Sequence, residues 1–464
     1  MNDQDSELTA SAPELTALDL ENLWHPLVQH RDLAGAPPRC IDRAEGSYLY
    51  DAAGNRWLDA VAGIWCVNVG HGRSELADVA REQMSRLAFA PLTMSHEPAI
   101  RLATKLVDLL GYPSKVYISN SGSEANEAAF KIVRQYHAQA GRDGSGLGRY
   151  KIIARYRGYH GNTLGALSAT GQAERRMGYE PLVPGFVFTS APDPYREETD
   201  CAKALEQTIL REGAETVAAF IMEPIIAGGG ILIPPDDYLP RVREICDRYG
   251  VLLILDEVVT GFGRTGKMFG HQHWEVEPDI ITFAKGIASG YMPLAATVVR
   301  NEIFDAFSGP ADGMNHFRHI NTYAGHPVAT AVALRNIEIV EREGLVDRSA
   351  KMGEFVLRAL APLKAHPNVG DIRGRGLLVG VELVEDRASR EPLSADKAAR
   401  VVAHCAEQGV IIGCTTNTTP GMSNVVILAP PLTISEEEAR TMVAALDAAL
   451  YKELPANDSG PSRE

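Results

Sequence analysis

The chain has 464 residues, 45% of them hydrophobic and 23% charged, with a formal net charge of -15 at pH 7. At roughly 100–200 residues per domain that length predicts about two to three domains, and the acidic balance excludes a surface built to neutralise phosphate backbone, so no nucleic-acid partner is expected. Six cysteines, Cys40, Cys66, Cys201, Cys246, Cys405 and Cys414, are scattered without a CxxC pair, which reads as reduced thiols of a cytoplasmic protein rather than metal ligands.

In chain order, residues 1–15 are polar and acidic and lack the basic start and apolar run of a secretory signal. No stretch reaches the ~18 apolar residues of a membrane span, so no membrane partner is expected. Both ends, including residues 457–464, read as frayed tails. Between about Lys115 and Arg300 short apolar runs alternate with longer amphipathic segments, the signature of βα units. The runs at 115–119, 151–155, 186–189, 217–222, 251–255, 279–283 and 296–299 are apolar on both faces, as strands covered by helices must be. A helix starting near Ser121 is marked by Ala129, Ile132, Val133 and Tyr136, which form one stripe at helical spacing. The glycine-rich stretch 141–148 reads as a surface loop. Beyond Pro327 a smaller α+β region is expected, with a helix at 329–343 and strands at 376–382 and 425–428.

Ligands of a parallel sheet sit beyond the carboxyl ends of its strands, so the residues that follow each run carry the chemistry. After the first comes Asn120-Ser121-Gly122-Ser123-Glu124, where Ser121 and Glu124 have capping-box spacing and the free N–H groups of a helix start would receive a phosphate; the plainer alternative is that Ser121 only caps a helix. After 251–255 come Asp256 and Glu257. A carboxylate buried there requires a cation, either an arginine such as Arg264 or a protonated pyridine nitrogen. After 279–284 comes Lys285, followed by the small and apolar stretch 286–296. A poorly solvated ammonium loses its proton more readily, and the neutral amine attacks an aldehyde; the alternative is a lysine that reaches out to solvent. A lysine, an acid and a phosphate cradle together are what pyridoxal 5'-phosphate (PLP) requires. Tyr159, after the second run, would lie over the ring or else serve as core packing, and Val258 would close the opposite face. The pairs His316/His319 and His271/His273 lack a third ligand, so no metal is expected. The glycines at 227–230 read as a turn between two strands.

These residues stand in stretches that resemble the class III aminotransferases of PLP fold type I, specifically the ω-amino acid:pyruvate and taurine:pyruvate group. The resemblance runs from about residue 20 to 452 and is carried by GIWCVN at 63–68, NSGSEAN at 120–126, YHG at 159–161, MEP at 222–224, LDEV at 255–258, GFGRTG at 261–266, AKG at 284–286 and NTYAGHP at 321–327. It implies an α/β fold, with a large PLP-binding domain at 65–327 whose mostly parallel sheet is flanked by helices. A smaller α+β domain would combine the segment 1–64 with residues 328–464. By the same resemblance Lys285 and Asp256 are catalytic, and Tyr159 and Val258 sandwich the ring. Ser121, Gly122 and Ser123 hold the phosphate, and His160 and Glu223 support the cofactor. Thr322 reaches the phosphate of a neighbouring subunit in a homodimer or dimer of dimers with shared active sites. Trp65, Tyr159 and Cys414 face the substrate.

One departure stands out. Where such relatives usually carry a basic residue after Ile-Ile-Gly, typically the arginine that meets a substrate carboxylate, this chain has Cys414. Another residue must compensate, or the donor is less anionic. The expected reaction moves the amino group of an ω-amine or ω-amino acid, taurine-like or β-alanine-like, to pyruvate by a ping-pong path through pyridoxamine phosphate. Transamination of other amines or diamines, an aminomutase and a decarboxylase of the same fold are the alternatives. A ligand-sensing regulator would need a basic helix-turn-helix extension, whereas only about 20 residues, acidic in balance, precede the resemblance.

Overall fold

The protein is described by a computed structural model that covers residues 12–140 and 148–455. Most of the loop expected at 141–148 and most of the polar ends lie outside the described residues. All seven apolar runs form one sheet: β1 (Ser114–Ser119), β2 (Lys151–Arg155), β3 (Phe186–Thr189), β4 (Val217–Met222), β5 (Leu252–Asp256), β6 (Ile280–Phe283) and β7 (Ala295–Arg300). Their spatial order is β1-β7-β6-β5-β4-β2-β3. The pairs from β3 across to β6 are parallel, whereas β7 runs antiparallel to both β6 and β1.

The two faces of the sheet explain why its strands read as continuous apolar runs. Phe220, Met222, Leu253, Leu255, Ile281 and Phe283 pack into one cluster, while their neighbours Ala219, Ile221, Ile254 and Ile280 pack into another on the opposite side. Successive side chains of a strand point to opposite faces, so double cover removes the polar half of the alternation. The helix Gly122–Ala140 lies on the second face through Ala129, Ile132 and Val133.

Two further sheets lie apart from this one. In the first, Ile41–Glu45, Tyr48–Asp51 and Arg56–Asp59 form an antiparallel meander, and Val410–Ile411 joins Arg56–Asp59 in parallel. Leu58 thereby enters the same apolar cluster as Val381, Val426 and Leu446 from the C-terminal region. The second holds Val369–Arg375, Leu378–Asp386, Val425–Leu428 and Gly413–Cys414. The strand expected at 376–382 thus starts two residues later. Gly376, at φ +54, turns the chain against Thr265 and Gly266, where an added Cβ would lie 2.3 Å from a backbone carbon. The helix expected at 329–343 is Pro327–Arg342. The glycines at 227–230 form the turn between Ile226 and Leu232, which pair as an isolated antiparallel bridge. Among the described residues no helix is long and apolar enough to cross a membrane.

Candidate active site

The carboxyl ends of β1, β2, β4, β5 and β6 meet at one edge of the sheet, and a cavity of about 340 Å³ opens there. Trp65, Ser121, Gly122, Ser123, Tyr159, His160, Glu223, Asp256, Val258 and Lys285 line it together. Ten residues chosen from segments far apart in the sequence therefore share one wall. Thr322 and Cys414 do not line it. Thr322 is exposed, and Cys414 sits in a strand paired with Val426, its Sγ 3.8 Å from the Ser423 carbonyl oxygen. Burial pushes that thiol up to about 12, so it stays protonated and offers no charge.

Lys285 stands one residue, Ala284, beyond β6 and adopts φ +46, a left-handed conformation that costs a non-glycine residue energy and recurs at functional sites. Its Nζ lies 4.8 Å from the centroid of the Trp65 ring. Although the side chain keeps some surface toward the cavity, loss of solvent lowers its pKa, opposed by the nearby Cys66, Asp256 and Glu223. Trp65 is itself left-handed at φ +59. Its turn is held by Asp59, which accepts hydrogen bonds from the backbone N–H of Gly63 (2.8 Å) and Val61 (3.2 Å) and pairs with His71 Nε2 at 2.9 Å.

Asp256 ends β5 and is buried, with 3% of its surface exposed. Its Oδ2 accepts from Asn126 Nδ2 (2.8 Å) and meets His160 Nδ1 (2.8 Å), and its Oδ1 accepts from the Val258 N–H (3.1 Å). No lysine or arginine pairs with it among the described residues. The alternative partner Arg264 is instead fully buried elsewhere, donating to the Leu377 and Pro430 carbonyls and to Asn68 Oδ1. Asp256 is thus oriented by hydrogen bonds and left facing the cavity without a fixed cation, the arrangement that fits a protonated ring nitrogen. Glu223 lies beside it, accepting from the Tyr159 and Ala227 N–H groups (3.1 and 3.0 Å), with its pKa raised chiefly by burial.

At the start of the helix Gly122–Ala140, Ser121 Oγ accepts from the Glu124 N–H at 3.2 Å, but the Glu124 carboxylate reaches back to Asn120 N (2.7 Å) rather than to Ser121. The capping box expected from the spacing is therefore half formed and displaced by one residue. Gly122 and Ser123, the first residues of the helix, line the cavity, and at a helix start an anion is favoured by both hydrogen bonding and the helix dipole. The approach is close: a Cβ on Gly122 would lie 3.1 Å from Val258, and one on Gly161, at φ +131, would lie 2.4 Å from Ser123 Oγ. Glycine at both positions lets strand ends and helix start meet around a small ligand.

Among the lining residues to which the sequence reading gave no role are Asn126, Gln172 and Arg175. Asn126 lies one turn into the helix and bridges Asp256, the His160 carbonyl (2.7 Å) and Thr282 Oγ1 (2.9 Å); its place within NSGSEAN was the available signal. Gln172 and Arg175 stand beyond the second strand, and no spacing rule points to them. Arg175 stacks on Tyr159, its guanidinium carbon 5.1 Å from the ring centroid. The histidine pairs serve structure: His271 Nδ1 binds Glu257 (2.9 Å), His273 Nε2 binds the Thr265 carbonyl (3.0 Å) and His319 Nδ1 meets Lys131 (2.7 Å). Among the described residues no group of side chains is arranged to hold a metal ion.

Comparison with known proteins identifies the family. The model of the family Aminotransferase class-III matches residues 31–450, and the chain belongs to that family of PLP-dependent transaminases with the fold type I α/β architecture. It is 51% identical to an uncharacterized aminotransferase, YhxA, of Bacillus subtilis (strain 168), over 92% of this chain and 94% of that one. A taurine–pyruvate aminotransferase of Bilophila wadsworthia is 44% identical over 95% of this chain and 98% of its own. The solved structure of a Bacillus anthracis aminotransferase superposes with a TM-score of 0.91 at 48% identity, covering 97% of this chain and all (100%) of that one.

Proposed function

We propose that this enzyme takes the primary amino group of a short ω-amino acid, taurine-like or β-alanine-like, and delivers it to pyruvate. The observation that supports it most is the meeting, in one cavity, of the partly desolvated Lys285 with a buried Asp256 that is hydrogen-bonded but pairs with no lysine or arginine among the described residues. The taurine–pyruvate relative supports the donor class and the acceptor. When bound, PLP supplies an electron sink for the carbanion left after proton loss from the amine carbon.

The chain's own residues do the rest. Asp256, its carboxylate fixed by Asn126 and His160, would keep the ring nitrogen protonated. Lys285 would hold the cofactor and then move a proton to and from the amine carbon, and its pKa, lowered by burial, favours the neutral amine that this role requires. Gly122 and Ser123 would bind the phosphate through backbone N–H groups, and Tyr159 and Val258 would hold the ring. Trp65, fixed by Asp59, walls the cavity over Lys285 and excludes water.

The cavity rim is incomplete in one chain. Leu27 and Ile64 line it yet are 68% and 69% exposed. Large apolar side chains left open beside a site support a second copy of the chain closing it, with Thr322 contributing across that interface in a homodimer. The test of substrate is a panel of amines offered with pyruvate and scored by alanine formed. Taurine or β-alanine should lead the panel; alanine formed only from α-amino acids would overturn the proposal.

A further inference from the structure

If the donor carries an acid at the end remote from its amine, the site needs a cation, and position 414 does not provide one. Among the described residues lining the cavity, Lys285 and Arg175 are the basic side chains apart from His160, which is engaged by Asp256. Lys285 is committed to the reacting centre. Arg175 is half-buried and forms no ion pair with any described carboxylate, whereas its neighbour Arg176 pairs with Glu180 at 3.0 Å. An arginine held beside a cavity without a carboxylate is a binding group in waiting.

Its position is built. Buried Gln172 donates through Nε2 to the Arg157 carbonyl (3.0 Å), which turns Oε1 toward Arg175 Nε (2.8 Å). The Tyr159 ring supports the guanidinium from below, and the Thr416 carbonyl touches NH2 at 3.4 Å. Two of the five N–H donors are thus used, one of them weakly, and the fork keeps donors for an acid with two or three oxygens. The Glu174 N–H also bonds the Thr418 carbonyl at 3.0 Å. The segment after Cys414 therefore seats against the short helix Ala173–Arg176 and helps place the arginine.

We infer that Arg175 is the anion anchor of this site: it binds the terminal sulfonate or carboxylate of the ω-amino acid donor, the role that Cys414 leaves open. The inference rests on the donor class proposed above. Because Arg175 stacks on Tyr159, the donor's acid end lies over the outer edge of that ring, on the side of the 415–418 segment.

The test compares two donors of like shape, β-alanine and 3-methylbutylamine, in the cofactor-loaded wild type, Arg175→Gln and Arg175→Lys. Spectral change of the bound cofactor is followed in the half-reaction without pyruvate. Arg175→Gln should lower kcat/KM for β-alanine roughly 10–100-fold more than for 3-methylbutylamine, the size of a lost charge-assisted bond. The loss should fall on KM, and Arg175→Lys should recover part of it. Equal losses for both donors would overturn the anchor and make Arg175 a structural support. Binding of propionate, which has no amine, is measured in parallel by calorimetry. If neither donor reacts in the wild type, the donor class is wrong, and propionate binding still decides the anchor: it should weaken in Arg175→Gln, and unchanged binding would contradict the inference.

Discussion

Asp256 and Glu382 are both buried carboxylates at 3% and 0% exposure, one facing the cavity and one between the large sheet and the C-terminal region, and they are compensated in opposite ways. Glu382 lies between two guanidinium groups, Arg196 Nε at 2.5 Å and Arg373 NH1 at 2.6 Å. Arg373 also donates to the Gly230 and Ile231 carbonyls (3.1 and 2.9 Å), while Arg157 bonds both Gly229 and Asp193. That network ties the turn behind the site to the second sheet and leaves no charge unmatched. Asp256 receives only N–H donors and a histidine. A buried acid with an internal cation is structural, and one oriented but not neutralised is kept for a cationic ligand.

The contrast can be broken first at its chemical end. Lys285→Ala should lower turnover by at least about 10³-fold, since the proposed roles of anchoring amine and proton carrier both fall to this residue. The check is single-turnover kinetics together with loss of the borohydride-reducible yellow colour. Normal turnover in that variant would end the assignment.

At the structural end, Glu382→Gln should destabilise the protein by about 3–5 kcal/mol, the usual cost of leaving buried charges unpaired. The urea midpoint would fall, while the affinity for cofactor in the protein that remains folded should be retained. A midpoint shift equal to that of an exposed acid such as Glu277 would mean that the pair of arginines is solvated in solution.

A smaller effect sharpens the account through pH. Burial first, with the charge of Arg175 also contributing, lowers the Lys285 pKa from its ordinary 10.5. Below 10.5 the unfolded chain therefore binds a proton that the cofactor-free folded protein resists, so stability falls with pH across the window from 10.5 down to the lowered value. Lys285→Met removes that penalty. The cofactor-free variant should gain in Tm relative to wild type as pH is lowered from 10 toward 7; a constant difference would show that the amine is solvated.

Much of this was legible because two patterns are local. Strands covered on both sides appear as unbroken apolar runs, and strand-end residues are found by counting from them, which is how Ser121, Tyr159, Asp256 and Lys285 came to one cavity. Direction is not local, so the antiparallel course of β7 could not be read from 296–299. The strand Val369–Arg375 was hidden because its sequence, VGDIRGR, interrupts the apolar positions with glycine and charge. Partners chosen across long separations were also hidden: Arg264 was a reasonable neighbour for Asp256 by sequence distance, yet it turned toward the Leu377 and Pro430 carbonyls. Arg175 escaped notice because a lone arginine on a four-residue helix has no pattern to belong to.

The central claim is that Asp256 is kept for a ligand cation and Glu382 for the fold, and crossing two variants with two readouts tests it most directly. Asp256→Asn and Glu382→Gln would each be measured for cofactor-free Tm and for turnover of the loaded enzyme. The account predicts that Asp256→Asn keeps its Tm within a few degrees while turnover falls by roughly 10²–10³-fold, because a neutral amide cannot hold the ring proton, and that Glu382→Gln shows the reverse. A large loss of Tm with near-normal turnover in Asp256→Asn would contradict it, making Asp256 one more structural acid.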